Sequence, residues 1–361
     1  MAVNTSKWTK GVIERYAGTG IRGYDGDGEE AIAARLGGPA GLAVDRADNI
    51  YVAEFHNNVI RKIDSKTGRI STIAGCGLKG SEGDGGPAVC ARLNGPEGVF
   101  VDSSGNIYIA DTYNHKLRKI DAQTGAIRTI AGTGHSGYDG DGMKAVDTRL
   151  DQPSGVVADS KGNVYFNDYK NDRVRKIDTD GCISTYAGTG IPGYSGDGGP
   201  ADRAGISDVY GLAIDRFDNI YIMDSLNFAV RKVDSANGMI STVIGKGKPG
   251  EIVEYETIGN SYIGGPLHEK GTIGVEAPHA VDVDQRGNIF IADTGSNRIR
   301  MADIQRDLVY TVAGNGNRGN SGDGGIAPAA CLNVHGLRMD SKDNLYFVDF
   351  LSHVVRVIRF G

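Results

Sequence analysis

The sequence predicts an all-β chain closed into a six-bladed propeller of four-stranded antiparallel blades. Three observations carry that expectation. A unit closing its opening motif on Asp recurs at Asp45, Asp102, Asp159, Asp215, Asp284 and Asp340, at intervals of 57, 57, 56, 69 and 56 residues. A fixed period of this size is the mark of a repeat whose units bury their apolar faces against one another. Within each unit, short runs rich in Ile, Val and Tyr alternate with D-N, T-G or G-N punctuation, as expected for strands joined by tight turns. Finally, the sixth unit stops one strand short at V-V-R-V-I-R-F-G (354–361), while V-I-E-R-Y-A-G (12–18) matches the missing strand I-S-T-I-A-G (70–75). The N-terminal strand is therefore expected to complete the last blade and leave no free sheet edge.

The first unit shows the order of elements: G-P-A-G-L-A-V-D (38–45), N-I-Y-V-A-E (49–54), V-I-R-K-I-D (59–64) and I-S-T-I-A-G (70–75). Units open near residues 39, 96, 153, 209, 278 and 334, and residues 1–361 read as one domain. The long fourth interval places an insertion at 250–271, with Tyr255, Tyr262 and His268, between units four and five. An insertion of this length beside Tyr210 and His279 is expected to act as a lid. The 55 glycines supply the turns that many short strands require.

A net charge of −6 and a pI near 5.7 disfavour a nucleic-acid surface, which needs a basic face. No run approaches the roughly 20 apolar residues of a membrane helix. The start M-A-V-N-T-S-K-W lacks an apolar signal core. The expectation is a soluble, cytoplasmic monomer acting on a small-molecule ligand, with a removed signal peptide left open. Cys76, Cys90, Cys182 and Cys331 show no C-x-x-C spacing and read as free thiols, the alternative being a pair between Cys76 and Cys90.

The pattern P-x-G-L-A-V-D, N-I-Y-I-A-D-T-x-N-H and K-L-R-K-I-D closely resembles the NHL repeat, and the resemblance runs over nearly the whole chain. It implies the six-bladed propeller. That fold hosts lyases, hydrolases, cyclising enzymes and protein- or RNA-binding modules, so function has to be read from the site.

Six copies can be compared with one another. Arg61, Arg118, Arg175, Arg231, Arg300 and Arg356 share one position, and Glu54, Asp111, Asp168, Asp224, Asp293 and Asp349 share another. Residues present in every copy are expected to serve the blade, as ion pairs and turn caps. The loops containing G-Y-D-G-D-G (23–28, 137–142) and their relatives suggest calcium, but an EF-hand loop needs Glu at its twelfth position and Leu36 stands there counting from Asp25. They read as self-bonded turns.

The copies disagree just before the motif glycine, where Ala40, Glu97, Ser154, Tyr210, His279 and His335 stand. Each is expected on the rim of the central channel. Glu97, Tyr210, His279 and His335 are the candidate catalytic residues. His279 and His335 serve as base and acid, Tyr210 as proton donor and Glu97 as the alternative base. His56, Tyr113, Asn167, Tyr169, Asp224 and Phe350 are the candidate substrate-binding residues, with Lys170 and Phe228 also near the mouth. His115 and His353 read as structural turn residues. The resemblance adds two metal options. Some NHL-type lyases hold zinc on rim histidines near a tyrosine, which maps onto His279, His335 and Tyr210, with Glu97 or water replacing an absent third histidine. Gluconolactonase-type propellers use calcium, for which Glu97, Asn167 and Asp224 are candidates. Strictosidine-synthase-like propellers depend on one rim glutamate, matching Glu97. The expected function is thus a small-molecule enzyme of lyase, hydrolase or cyclase type at the channel mouth, requiring no cofactor or one divalent metal, zinc or calcium. The alternative is a non-catalytic propeller binding a protein or peptide on the same face.

Overall fold

The computed structural model describes residues 7–245, 254–258, 261–266, 275, 277–306 and 308–361. It forms six antiparallel sheets arranged as blades, five of four strands and one of six. Blade one comprises Pro39–Val44, Ile50–Glu54, Val59–Ile63 and Ile70–Ala74, in spatial order from the channel outward. Blades two to four repeat it, with inner strands Pro96–Val101, Pro153–Ala158 and Val209–Ile214. In blade six the strand Val12–Ala17 pairs with Val354–Arg359, Val12 opposite Arg359 and Ala17 opposite Val355. The ring closes by the expected route.

Buried apolar side chains lie between neighbouring blades, because the alternate residues of each strand face the next sheet. Ile60, Leu93, Val99 and Ile109 pack blade one against blade two, and Ala213, Tyr221, Val281 and Ile291 pack blade four against blade five. Trp8 caps the seam of blades five and six, edge-on to Phe290 at 5.2 Å and Phe360 at 4.7 Å between ring centres.

The repeated polar residues hold the blades. Asp45 accepts the backbone N–H groups of Ala47 and Asn49 at 2.8 and 2.9 Å, the Asn49 side chain at 2.8 Å and the Tyr51 hydroxyl at 3.0 Å. Asp102 repeats the arrangement with Asn106 and Tyr108. Each repeated arginine reaches the acid of its own blade: Arg118 lies 3.4 Å from Asp111, and Arg231 lies 3.3 Å from Asp224. The second acid of each glycine-rich loop reaches the same guanidinium. Asp27 meets Arg61 at 2.7 Å, Asp84 meets Arg118 at 2.7 Å and Asp197 meets Arg231 at 2.8 Å. The second acid of these loops is a carboxylate arm for a buried arginine, which differs from the self-bonded turn expected, whereas the first acid Asp25 does accept a loop N–H, that of Arg35 at 2.8 Å.

Blade five carries the insertion instead of such a loop. Its two described segments, Glu254–Ile258 and Ser261–Pro266, form a hairpin that pairs with the outermost strand Leu308–Ala313. The hairpin therefore widens the blade on the side away from the inner strand. That differs from a lid over the channel, because the strand edge open for pairing lies outermost. The rest of 250–271, including His268, lies outside the described residues.

Candidate functional site

The rim position is built by a close approach of neighbouring inner strands. The glycine that follows each rim residue lies under the rim carbonyl of the next blade. A Cβ on Gly155 would sit 2.8 Å from the Tyr210 carbonyl, on Gly211 2.8 Å from that of His279 and on Gly336 2.8 Å from that of Ala40. Gly41 and Gly98 are tighter still, against the carbonyls of Glu97 and Ser154. Glycine is needed here for proximity, not for its freedom of φ. In these five blades the inner strand breaks register at this point, for example between Pro96 and Val99. Such a bulge turns one side chain toward the channel. Blade five, with Ala280 in place of glycine, has no such break. Its inner strand Ala280–Val283 pairs regularly from Ala280 opposite Ala292, and the His279 N–H donates to the Ala292 carbonyl at 3.1 Å.

The rim side chains and the first turns of the blades form a nearly continuous ring of aromatic groups. Tyr169 meets Tyr210 at 4.8 Å between ring centres, and Tyr210 stacks on His279 at 4.7 Å with 9° between planes. His279 stands edge-on to His335 at 4.6 Å, and His335 stacks on Phe350 at 5.3 Å. Phe350 contacts His56 at 5.6 Å and Phe55 at 6.2 Å, and Phe55 meets Tyr113 at 5.4 Å. All six blades contribute. Below the ring lies a cavity of about 70 Å³ lined by Glu97, Ser154, Tyr210, His279 and His335, with Arg338 at its floor.

Glu97 stands apart electrostatically. Its carboxyl forms no hydrogen bond or ion pair with a described residue, and burial alone raises its pKa to about 7. Burial, with help from neighbouring His335, pushes His279 down to about 3, and its buried Nδ1 has no hydrogen-bond partner among the described residues. Burial also lowers His335, although the Ala40 carbonyl opposes the shift. That carbonyl lies 3.0 Å from His335 Nδ1. A carbonyl only accepts, so the proton sits on Nδ1 and Nε2 is left with its lone pair. Tyr210 is raised above its ordinary value by burial first and then by Glu97. Near neutral pH the site therefore holds two uncharged imidazoles, a protonated phenol and a carboxyl poised to titrate. Burial disfavours the imidazolium form of both His279 and His335, which weighs against either of them as the general acid of the expected base-and-acid pair.

Glu97, Tyr210, His279 and His335 thus come together, as do His56, Tyr113, Tyr169 and Phe350 around them. Two expected binding residues do not. Asp224 is fully buried, bonded to the Ser207 N–H at 2.7 Å, the Asn227 amide at 2.8 Å and Arg231. It is its blade's structural acid. Asn167 is also fully buried and donates to the Tyr210 carbonyl at 2.5 Å, so it holds the rim strand from behind. His115 and His353 accept the N–H groups of Gln152 and Gly38 in the next blade at 3.2 and 3.1 Å, in line with a structural role.

The donor set does not fit a metal centre. No three His, Cys, Asp or Glu side chains among the described residues are grouped to hold an ion. The two rim histidines meet edge to face, and His335 Nδ1 is bonded to a carbonyl. Of the residues offered for calcium, Asp224 is committed to Arg231, whereas Asn167 binds the Tyr210 carbonyl through its amide nitrogen and its buried Oδ1 has no partner among the described residues.

Two features escaped the comparison of copies. Phe55 and Phe350 share a repeat position with Tyr169, while the siblings Thr112, Ser225 and Thr294 latch onto carbonyls of the next blade at 2.8, 2.7 and 2.9 Å. Large rings at that position turn to the mouth and small hydroxyls tie blades together. Deeper in the channel, Arg338 donates to the carbonyls of Val281 and Leu212 at 3.0 and 3.1 Å and lies 3.7 Å from Asp282. This pair closes the floor. Reading three places beyond the rim residue, where Ala43, Phe100, Val157 and Ala213 precede Asp282 and Arg338, would have found it.

The NHL repeat model matches residues 93–120, and the Teneurin NHL domain model matches residues 133–192. The protein SUPPRESSOR OF QUENCHING 1, chloroplastic, of Arabidopsis thaliana is 28% identical over 306 residues, covering 81% of this chain and 27% of that protein. Human NHL repeat-containing protein 2 is 23% identical over 295 residues, covering 74% of this chain and 39% of its own length. The chain thus spans well under half of either relative. Among solved structures, an auxiliary nutrient binding protein from Bacteroides thetaiotaomicron matches with a TM-score of 0.64 and 15% identity, over 97% of this chain and 76% of that one. Streptogramin B lyase matches at 0.57 and 14%, over 99% and 100%. A gluconolactonase from Xanthomonas campestris matches at 0.56 and 10%, over 90% and 87%. At these identities the structures share the fold. Among the described residues, no helix is long and apolar enough to cross a membrane.

Proposed function

Because the chain is a six-bladed propeller of NHL repeats, a fold that also serves lyases and a gluconolactonase, we propose that it is a small-molecule enzyme working by acid–base chemistry at the channel mouth. The observation that carries this is Glu97: an unpaired carboxyl, held near pH 7 by burial, beside the Tyr210 phenol and above a closed channel floor. A carboxyl whose pKa matches the working pH both takes and returns a proton efficiently. In this reading Glu97 transfers the proton. Tyr210 donates a hydrogen bond to developing negative charge. The uncharged His279 and His335 orient the substrate, His335 through its free Nε2. The surrounding rings hold the apolar part of the substrate and keep water out.

The test is comparative consumption. Wild-type protein and Glu97→Gln are incubated with a mixed small-molecule extract at pH 7.5, and losses are followed by mass spectrometry. The proposal expects at least one compound to be consumed by wild type alone. Identical profiles for the two proteins would contradict it.

A second reading rests on one observation. Tyr113, Leu226 and Leu351 stand exposed at 47%, 59% and 48% on first turns of the same face. An apolar crown of this kind suits a protein or peptide partner. In that case Leu226→Ser with Leu351→Ser would abolish complex formation while leaving any small-molecule turnover intact.

A further inference from the structure

The chain satisfies the fully buried carboxylate of each blade by a rule, and the half-buried Glu97 on the channel rim stands outside it. Glu54, Asp111, Asp168, Asp224, Asp293 and Asp349 each lie within 4 Å of a buried arginine of the same blade. Glu97 has no cation at all among the described residues, although it lines a channel cavity. The nearest candidate in the cavity wall, Arg338, is bound to carbonyls and to Asp282 at the floor. Lys170 on the outer rim sits over the Tyr169 ring at 4.0 Å. A carboxylate in a low-dielectric wall is costly to ionise unless a positive charge joins it.

Most of the rings at the mouth suit a positive charge, with the cations Arg22 and Lys79 near His56 and Lys170 over Tyr169 confined to its edge. Eight aromatic or imidazole rings surround the entrance, from Tyr169 through Tyr210, His279, His335, Phe350, His56 and Phe55 to Tyr113. Ring faces attract cations, and burial lowers all three imidazoles there, His56, His279 and His335, toward their uncharged forms. The lining offers little to an anion. Ser154 already donates its hydroxyl to the Tyr210 carbonyl at 3.2 Å, and the guanidinium is engaged. The cavity behind the rim, about 70 Å³, holds only a few heavy atoms. A head group fits inside it and the body of a ligand must rest on the rings above.

We propose that the mouth takes a small organic cation, a primary ammonium carried on a flat apolar body, with the ammonium against Glu97 and the body against Phe55, Tyr113 and Phe350. The proposal rests on the reading of the mouth as the enzyme's substrate site and names the substrate class. Pairing with an ammonium favours the ionised carboxylate, so below the pKa of free Glu97 binding expels a proton from it. The titratable groups around the mouth are Tyr210 and Tyr169, both raised above their ordinary values by burial, the lowered His279, His335 and His56, and Tyr113, Asp208 and Lys170 near Tyr210 and Tyr169. None of these is placed to mask the release between pH 6 and 8.

The experiment is calorimetric titration of the full chain with 2-phenylethylammonium and with its neutral counterpart 2-phenylethanol, at pH 6 and pH 8. The expected result is saturable binding of the ammonium, at least about tenfold tighter than the alcohol at pH 8, weakening toward pH 6 with proton release measurable in buffers of different ionisation heat. Glu97→Gln, checked for an unchanged melting transition, is expected to bring the ammonium down to the level of the alcohol. A Tyr113→Leu variant is expected to weaken both ligands several-fold. Equal affinity for ammonium and alcohol, ammonium affinity unchanged in Glu97→Gln, or no saturable ammonium binding would each overturn the inference. Ammonium binding without turnover of any amine would leave the cation site standing and sink the catalytic reading. Glu97-dependent turnover of neutral or anionic compounds without ammonium binding would do the reverse.

Discussion

The inside of a blade and the mouth of the channel treat the same chemical group in opposite ways. In a blade, Asp111 is fully buried and answered by Arg118, by the Asn94 N–H at 2.7 Å and by the Asn114 amide at 2.8 Å. At the mouth, Glu97 has neither an arginine nor an amide among the described residues. Burial lifts both above their ordinary values, Asp111 to about 6 and Glu97 to about 7. Only Asp111 has neighbours that pull it back. The lesson is that polarity repeated in every copy is structural and already satisfied, while polarity that departs from the repeat and stays unsatisfied marks where chemistry or a ligand belongs.

Breaking the blade side of this contrast should have the largest effect. Arg118→Met leaves Asp111 buried without its cation and is expected to cost about 3–5 kcal/mol of stability, read by urea unfolding. The same change at the mouth should act with the opposite sign. Unfolded Glu97 titrates near an ordinary glutamate and the folded carboxyl near 7, so the folded state binds the proton more tightly. Wild type and Glu97→Gln should be equally stable below about pH 4. The wild type should fall behind as pH rises from there through 7, to a gap of about 2–3 kcal/mol above pH 8. That variant should also lose about a hundredfold or more in turnover of the substrate found by consumption.

Smaller effects sharpen the comparison at the rim. Gly98→Ala drives a methyl into the Ser154 carbonyl and should cost about 1–3 kcal/mol, whereas the reverse change Ala280→Gly in regular blade five should cost under about 1 kcal/mol. His279→Phe should change least near neutral pH, since the imidazole is uncharged there. The native His279 is held neutral far below its unfolded pKa of about 6.5, so stability is lost as pH falls from 6.5 toward 3. The phenylalanine variant should show a flatter acid limb in the melting temperature.

Much of this was legible in the sequence because the fold is written six times. The period located the blades, the unmatched strand at 12–18 located the closure, and the position before the motif glycine located Glu97, Tyr210, His279 and His335. What the copies could not reveal was how departures meet across blades. That His279 lies between Tyr210 and His335, and that burial leaves both imidazoles uncharged, depends on which rims are adjacent and how far they stand from water. Asp224 looked available because a carboxylate in a sequence carries no sign of its partner, and Arg231 takes it. The insertion looked like a lid because length alone does not say which edge of a blade it will extend.

The most direct test is the titration of Glu97 itself, by carboxyl carbon resonances or infrared difference spectra of wild type against Glu97→Gln in the absence of ligand. A midpoint near pH 7 that falls on adding 2-phenylethylammonium is the result expected for an unpaired carboxyl awaiting a cation. A midpoint near 4.5, unmoved by the ammonium, would show that Glu97 is already satisfied and would contradict the account of the mouth.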